Sequence, residues 1–135
     1  MKEFNWPIRV YYEDTDSGGV VYHSNYLRFM ERARTEWLRD LGYSQNRLCD
    51  EENLVFVVSS MNIDFKKPAF IDELLNVNSR IAKLRGTRLV FEQIINNEIN
   101  ETKCRADVYI ACVDATTFKP RRIPAVIRAE FNHDD

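Results

Sequence analysis

Between Tyr26 and Leu41 the apolar residues Tyr26, Phe29, Met30, Ala33, Trp37, Leu38 and Leu41 recur at spacings of three and four. That is the period of a helix with one buried face, and Arg28, Glu31, Arg32, Glu36, Arg39 and Asp40 fill much of the remaining circumference. The spacing predicts a helix over 24–41, with Ser24 or Asn25 as N-cap and Gly42 as the stop. At 1.5 Å per residue it would run about 27 Å, and no other run of helical period approaches that length. The flanking chain has a different pattern. "PIRVYYE" (7–13) is rich in β-branched and aromatic residues and reads as a first strand. After a polar connection, "YSQNRLCDEEN", the period changes to two, with Val55, Val57, Met61, Ile63 and Phe65 alternating along "LVFVVSSMNIDFKKPA". Segments 73–84, 87–96 and 103–114 continue as strands, joined at Gly86 and "NNEINE" by connections short enough for hairpins. Pro120 and Pro124 close the strand region, and "AVIRAEF" suggests a final turn or two of helix.

A lone helix with a broad apolar face needs cover, and one curved sheet supplies it. The predicted class is α+β, an antiparallel sheet of five to six strands wrapped around one long helix. With 135 residues and no linker or repeat, 1–135 reads as a single domain.

Composition narrows the function classes. Nineteen basic and 21 acidic residues leave a net charge of -2, which argues against nucleic acid as the main partner. The N-terminus lacks a signal-peptide core and no run of 18 apolar residues exists, so a cytoplasmic location without a membrane span is expected. Cys49, Cys104 and Cys112 form no Cys-x-x-Cys pair, which points to packed thiols rather than a disulfide framework or a zinc site. Neither a metal nor a cofactor is expected.

The chemistry concentrates in "YYEDTDSGGVVYHSNY" (11–26), where two acids and two glycines precede the helix. As an EF-hand loop it fails, because Gly18 has no side-chain oxygen for its position and Asn25 would stand where a bidentate Glu is required. As a phosphate loop it lacks the Lys-Ser/Thr ending, and its carboxylates would repel the anion. Two readings stay open on the residues alone. In one, Asp14 and Asp16 cap turns; in the other, a carboxylate works beside free helix-start amides on an acyl group.

The segment "RVYYEDTDSGGVVYHSNYLRFMERARTEWL" resembles the active-site segment of the hotdog-fold 4-hydroxybenzoyl-CoA thioesterase family, in its YbgC-type branch found beside the Tol-Pal genes of bacteria. Arg9, Val10, Thr15, Asp16, Gly19, Val20, Val21 and Tyr26 match the family signature, and the likeness continues through "RGTRLVFEQ" and "ACVDATTFKPRRIP". The resemblance implies an acyl-CoA thioesterase for short-chain or small acyl groups, with Asp16 as nucleophile or general base and the amide near His23 polarising the carbonyl. It leaves Asp14 as a structural turn residue. The His23 imidazole has two readings, as a packing group or as a partner of Asp16 or substrate. Gly19, Val20, Tyr22 and Tyr26 are candidate substrate-binding residues, while Arg85 and Arg121, with Lys66 and Lys67, offer charge for coenzyme A phosphates. The resemblance also implies a homodimer or homotetramer with its sites at the subunit interface. The alternative function is a partner of acyl carrier protein that uses the same pocket with little catalysis.

Overall fold

Five strands form one antiparallel sheet in the computed structural model of the chain, which describes residues 2–131. The elements run β1 (Glu3–Arg9), α1 (His23–Asp40), α2 (Gln45–Glu52), β2 (Leu54–Phe65), β3 (Leu74–Arg85), β4 (Arg88–Asn96), β5 (Thr102–Asp114) and α3 (Ala125–Phe131). The sheet order is β1-β3-β4-β5-β2, so β1 and β2 are the edges and the three hairpin-linked strands form the middle.

Alternation dictates the packing. Along the middle strands Leu75, Val77 and Ile81, then Leu89, Phe91 and Ile95, then Ala106, Val108 and Ile110 are buried, with partly exposed residues between most of them. Phe29, Met30, Ala33 and Trp37 of α1 join them in one core. Burying a side chain the size of Phe29 contributes about 1.5–3 kcal/mol. Polar bonds also pin the helix to the sheet: Gln93 Nε2 donates to the Met30 carbonyl (3.0 Å) and to Ser79 Oγ (2.9 Å), while its Oε1 accepts from Arg34 Nη1 (2.9 Å). Helix α3 closes one end of the core with Ile127 and Phe131, the latter edge-on to Trp37.

Three expectations shift. The first strand is Glu3–Arg9 rather than 7–13, because Tyr12–Asp14 coils into a 3-10 turn in which Asp14 Oδ2 accepts from the Tyr11 amide at 2.8 Å. The polar connection contains α2. Its N-cap Ser44 accepts from the Arg47 amide (3.1 Å), Asn53 ends it at φ 53°, and only Leu48 is buried, so no helical period shows in the sequence. In β2 the register slips between Val58 and Ser60. This bulge changes which parity faces inward, so Leu54 and Phe56 share the inner face with Met61 and Ile63, and Val55 and Val57 lie on the other.

The sheet register defines two ends. Arg9, Leu74, Asn96, Thr102 and Phe65 lie at one end, while Arg85, Arg88, Asp114 and Leu54 lie at the other. All three cysteines are free, and burial pushes the Cys104 thiol up to about 12 and the Cys112 thiol up to about 11. Native protein treated with iodoacetamide near pH 8 should therefore carry label on Cys49 and stay unlabelled at Cys104 and Cys112, as read by peptide mass spectrometry. Label on Cys104 without denaturant would contradict this packing.

Candidate active site

Residues 16–19 make a tight reversal just before α1. The Asp16 amide donates to the Val20 carbonyl (2.9 Å), the Gly19 amide donates to the Asp16 carbonyl (3.0 Å), and Thr15 bridges Val21. Gly19 has φ +80°, a conformation that side chains disfavour. The Gly18 amide donates to Asp16 Oδ1 at 2.8 Å, and a Cβ at position 18 would crowd that oxygen at 3.2 Å. The glycines thus let the turn orient one oxygen of an exposed carboxylate.

Asp14 has a different role. It is 8% exposed, and its carbonyl accepts from the Tyr22 amide (3.1 Å) and from Asn25 Nδ2 (2.7 Å), which ties the turn to the helix start. This Asn25 bond corrects the expected helix cap. The N-cap is Tyr22, at φ -68° and ψ 140°, and its side chain makes no cap bond, while Asn25 lies inside the first turn with its Nδ2 on the Asp14 carbonyl. The first amides of α1, beginning at His23, are therefore left without a capping side chain, at the positive end of the helix dipole.

Segment 66–70 forms the opposite wall. Val21 donates to the Ala69 carbonyl (2.9 Å), Val20 bridges Phe70, and the Ala69 amide donates to the buried Tyr26 hydroxyl (3.1 Å). Burial, chiefly, raises the pKa of that hydroxyl above the usual tyrosine range, so Tyr26 stays neutral. Between these elements lies a cleft of about 240 Å³ lined by Val20, His23, Tyr26, Phe65, Lys66 and Lys67, among others. The His23 ring packs 4.7 Å from the Phe65 ring, centroid to centroid. Asp16 does not line the cleft itself; it stands at the edge, bonded through its backbone to Val20.

The structure brings Asp16, Gly19, Val20, Tyr22, His23 and Tyr26 together at one end of the sheet, with Tyr22 exposed beside His23 and Tyr26 in the core. Arg85 and Arg121 are not brought there within one chain. Arg85 sits in the β3–β4 hairpin at the other end, and Arg121 Nη1 donates to the carbonyls of Glu52 (2.6 Å) and Asn53 (3.0 Å), closing the C-terminus of α2. Of the lysines, Lys67 pairs with Glu101 at 3.0 Å, and Lys66 lines the cleft. Sequence reasoning missed two residues, Asn25 as the tie between turn and helix and Phe65 as the wall facing His23. The alternation that puts Phe65 on the inner face was the available signal for the second; nothing in the pattern signalled the first. Among the described residues, no group of three His, Cys, Asp or Glu side chains is arranged to hold a metal ion, and no helix is long and apolar enough to cross a membrane.

Residues 18–104 match the family model of the thioesterase superfamily. The acyl-CoA thioester hydrolase YbgC of Escherichia coli O157:H7 is 49% identical over 128 residues, covering 95% of each chain. The acyl-CoA thioesterase YbgC of Haemophilus influenzae is 46% identical over 131 residues, covering 96% of this chain and 95% of that one. The crystal structure of a probable thioesterase from Bartonella henselae superposes with a TM-score of 0.86 at 43% identity, over 91% of this chain and all of the other.

Proposed function

Because the chain belongs to the thioesterase superfamily and is an acyl-CoA thioester hydrolase, we propose that Asp16 is its catalytic carboxylate and that the His23 amide holds the thioester carbonyl oxygen. The observation that carries this reading is an exposed carboxylate, oriented by the Gly18 amide, one bonded residue pair from the segment that enters an uncapped helix start.

Two routes use these groups. As nucleophile, Asp16 attacks the carbonyl carbon, the tetrahedral oxyanion rests on the His23 amide, and coenzyme A leaves as its thiolate. Water then cleaves the mixed anhydride. As base, Asp16 takes a proton from the attacking water, and the same collapse expels the thiolate. Each route consumes one water and yields a carboxylic acid and coenzyme A. Repeated turnover in heavy-oxygen water, followed by mass spectrometry of the peptide containing Asp16, separates them: label in that carboxylate means nucleophile.

The compact cleft supports short-chain or small acyl groups as substrates. Thiol release measured over acyl-CoAs of increasing length should give a kcat/KM that peaks among the short chains. A peak at long chains would reject the size assignment, and no thiol release from any acyl-CoA would reject the function. Lys66 and Lys67 line the cleft and offer charge to the phosphates of coenzyme A, and the same charge favours an acidic acyl carrier protein as donor. A carrier-bound substrate should then lose kcat/KM steeply with salt. Two copies joined along an exposed sheet edge would give the dimer, and light scattering checks it.

Asn25 is a positioning residue in this scheme. Asn25→Ala removes one of the two donors to the Asp14 carbonyl and should cost about 1–2 kcal/mol of stability. The loosened turn should also lower kcat about tenfold. Unchanged kcat in a folded Asn25→Ala enzyme would mean that the turn needs no such tie.

A further inference from the structure

Behind the wall of the cleft lies a buried charge that neither hydrolysis route uses. Lys103, near the start of β5, is only 5% exposed, although lysine is seldom buried unless paired. Its Nζ stands 3.8 Å from Glu73 Oε1 and 3.7 Å from Glu101 Oε1, within ion-pair range but too far for a hydrogen bond to either. It also lies 6.0 Å from the centroid of the Phe70 ring, at the limit of a cation–π contact. Taking an ammonium out of water is costly, and pairs this long offset little of that cost as fold stability alone.

Both ends of the wall segment 66–73 meet on this one residue. At the first end the Lys103 carbonyl accepts from the amides of Lys66 (2.9 Å) and Lys67 (3.2 Å). At the other, Glu73 Oε1, the oxygen that faces the ammonium, accepts from the Phe70 amide at 2.8 Å. The ammonium thus acts on Phe70 twice, through the ring and through the carboxylate that holds its amide. Phe70 in turn bridges Val20, whose carbonyl accepts from the Asp16 amide at 2.9 Å. From Lys103 the contacts therefore run through Glu73, Phe70 and Val20 to the turn that orients Asp16.

We propose that Lys103 is a positioning residue for the hydrolysis. Its ammonium fixes the Glu73–Phe70 corner of the wall, and that corner holds the Val20–Asp16 turn in place beside the helix start. This rests on the assignment of Asp16 as the catalytic carboxylate. The side chain acts chiefly on the Phe70 end, because a substitution at 103 keeps the backbone carbonyl that holds Lys66 and Lys67. Glu101 likewise keeps Lys67 and Asn97 as partners. Loss of the ammonium therefore falls on kcat and leaves the lysine end of the cleft, and with it KM, nearly as it was.

The test is thiol release by the full-length protein with its best short-chain acyl-CoA, well below the melting temperature of every variant. Lys103→Met should lower kcat about 10- to 100-fold with KM little changed. Lys103→Arg, which keeps the charge, should retain more of kcat. Glu73→Gln keeps an acceptor for the Phe70 amide and removes the charge facing the ammonium. It should also lower kcat, and the double variant should be no slower than Lys103→Met alone. If Lys103→Met does not fold, Glu73→Gln and Lys103→Arg carry the comparison. Ser44→Ala, which loses the N-cap of α2, is the stability control and should lower the melting temperature with kcat unmoved. A folded Lys103→Met enzyme with a lower melting temperature and an unmoved kcat overturns the proposal, since that is the signature of a purely structural lysine. Losses of kcat that simply multiply in the double variant overturn it too, as does an equal loss in Ser44→Ala. Failure of the Asp16 assignment looks different: turnover survives Asp16→Asn. Faster amide exchange over 16–21 and 69–73 in Lys103→Met then still judges the hold on the turn, and unchanged exchange there counts against it.

Discussion

Asp16→Asn should lower kcat by at least about 10³-fold, the scale of losses when a group that takes part in bond making is removed. The amide keeps an oxygen that can accept from the Gly18 N–H, so the turn survives and stability should move by no more than about 0.5 kcal/mol. Both routes fail in this variant, since an amide oxygen neither attacks a thioester nor takes a proton from water at neutral pH. Acyl-CoA binding should remain, because the cleft side chains do not include Asp16. The measurement is thiol release alongside binding of a non-hydrolysable thioether analogue. Near-full turnover in a folded Asp16→Asn protein would remove Asp16 from the mechanism.

His23→Pro should cost about 2.7–4 kcal/mol of transition-state stabilisation, a loss of 10²–10³ in kcat, because proline has no N–H to offer the oxyanion. The substitution suits this position physically. His23 is the first residue of α1, where proline is favoured and the amide has no partner within the helix. Tyr22, at φ -68° and ψ 140°, already has the extended backbone that a following proline demands. His23→Ala is the control, since it loses the ring packed on Phe65 and keeps the amide. A large loss in Pro with a small one in Ala assigns the work to the backbone. Equal losses in both would shift it to the imidazole, and no loss in either would put the oxyanion site elsewhere.

Much of the fold was legible because burial on one face forces a period. The three- and four-residue spacing located α1 within one residue at each end, and Gly86 and "NNEINE" located the hairpins between β3, β4 and β5. Where packing imposes no period, the pattern carried no information. Helix α2 buries only Leu48 and is held by a serine cap and an Arg47–Glu51 pair, so its residues read as a polar connection. The bulge in β2 was hidden because the bulged residue, Ser59, looks like any other in a strand and is recognised only by what it fails to pair with. Arg85 and Arg121 were grouped with the site by charge alone. Within one chain the register separates them from it, because sheet ends are defined by strand pairing and not by proximity in sequence.

By itself, the sequence determined the α+β class, the single long helix, the antiparallel strands after it and the family-like segment around Asp16. All of these rest on local spacing and residue type. Only the tertiary structure decided that Asp14 is a buried turn anchor while Asp16 is exposed with one oxygen oriented. Only it placed Tyr22 at the helix start without a side-chain cap bond, drew Asn25 to the Asp14 carbonyl, and packed Arg34 between α1 and the sheet against Gln93. Those facts depend on which groups from distant parts of the chain meet, and a hydrogen bond across the fold leaves no period in the sequence.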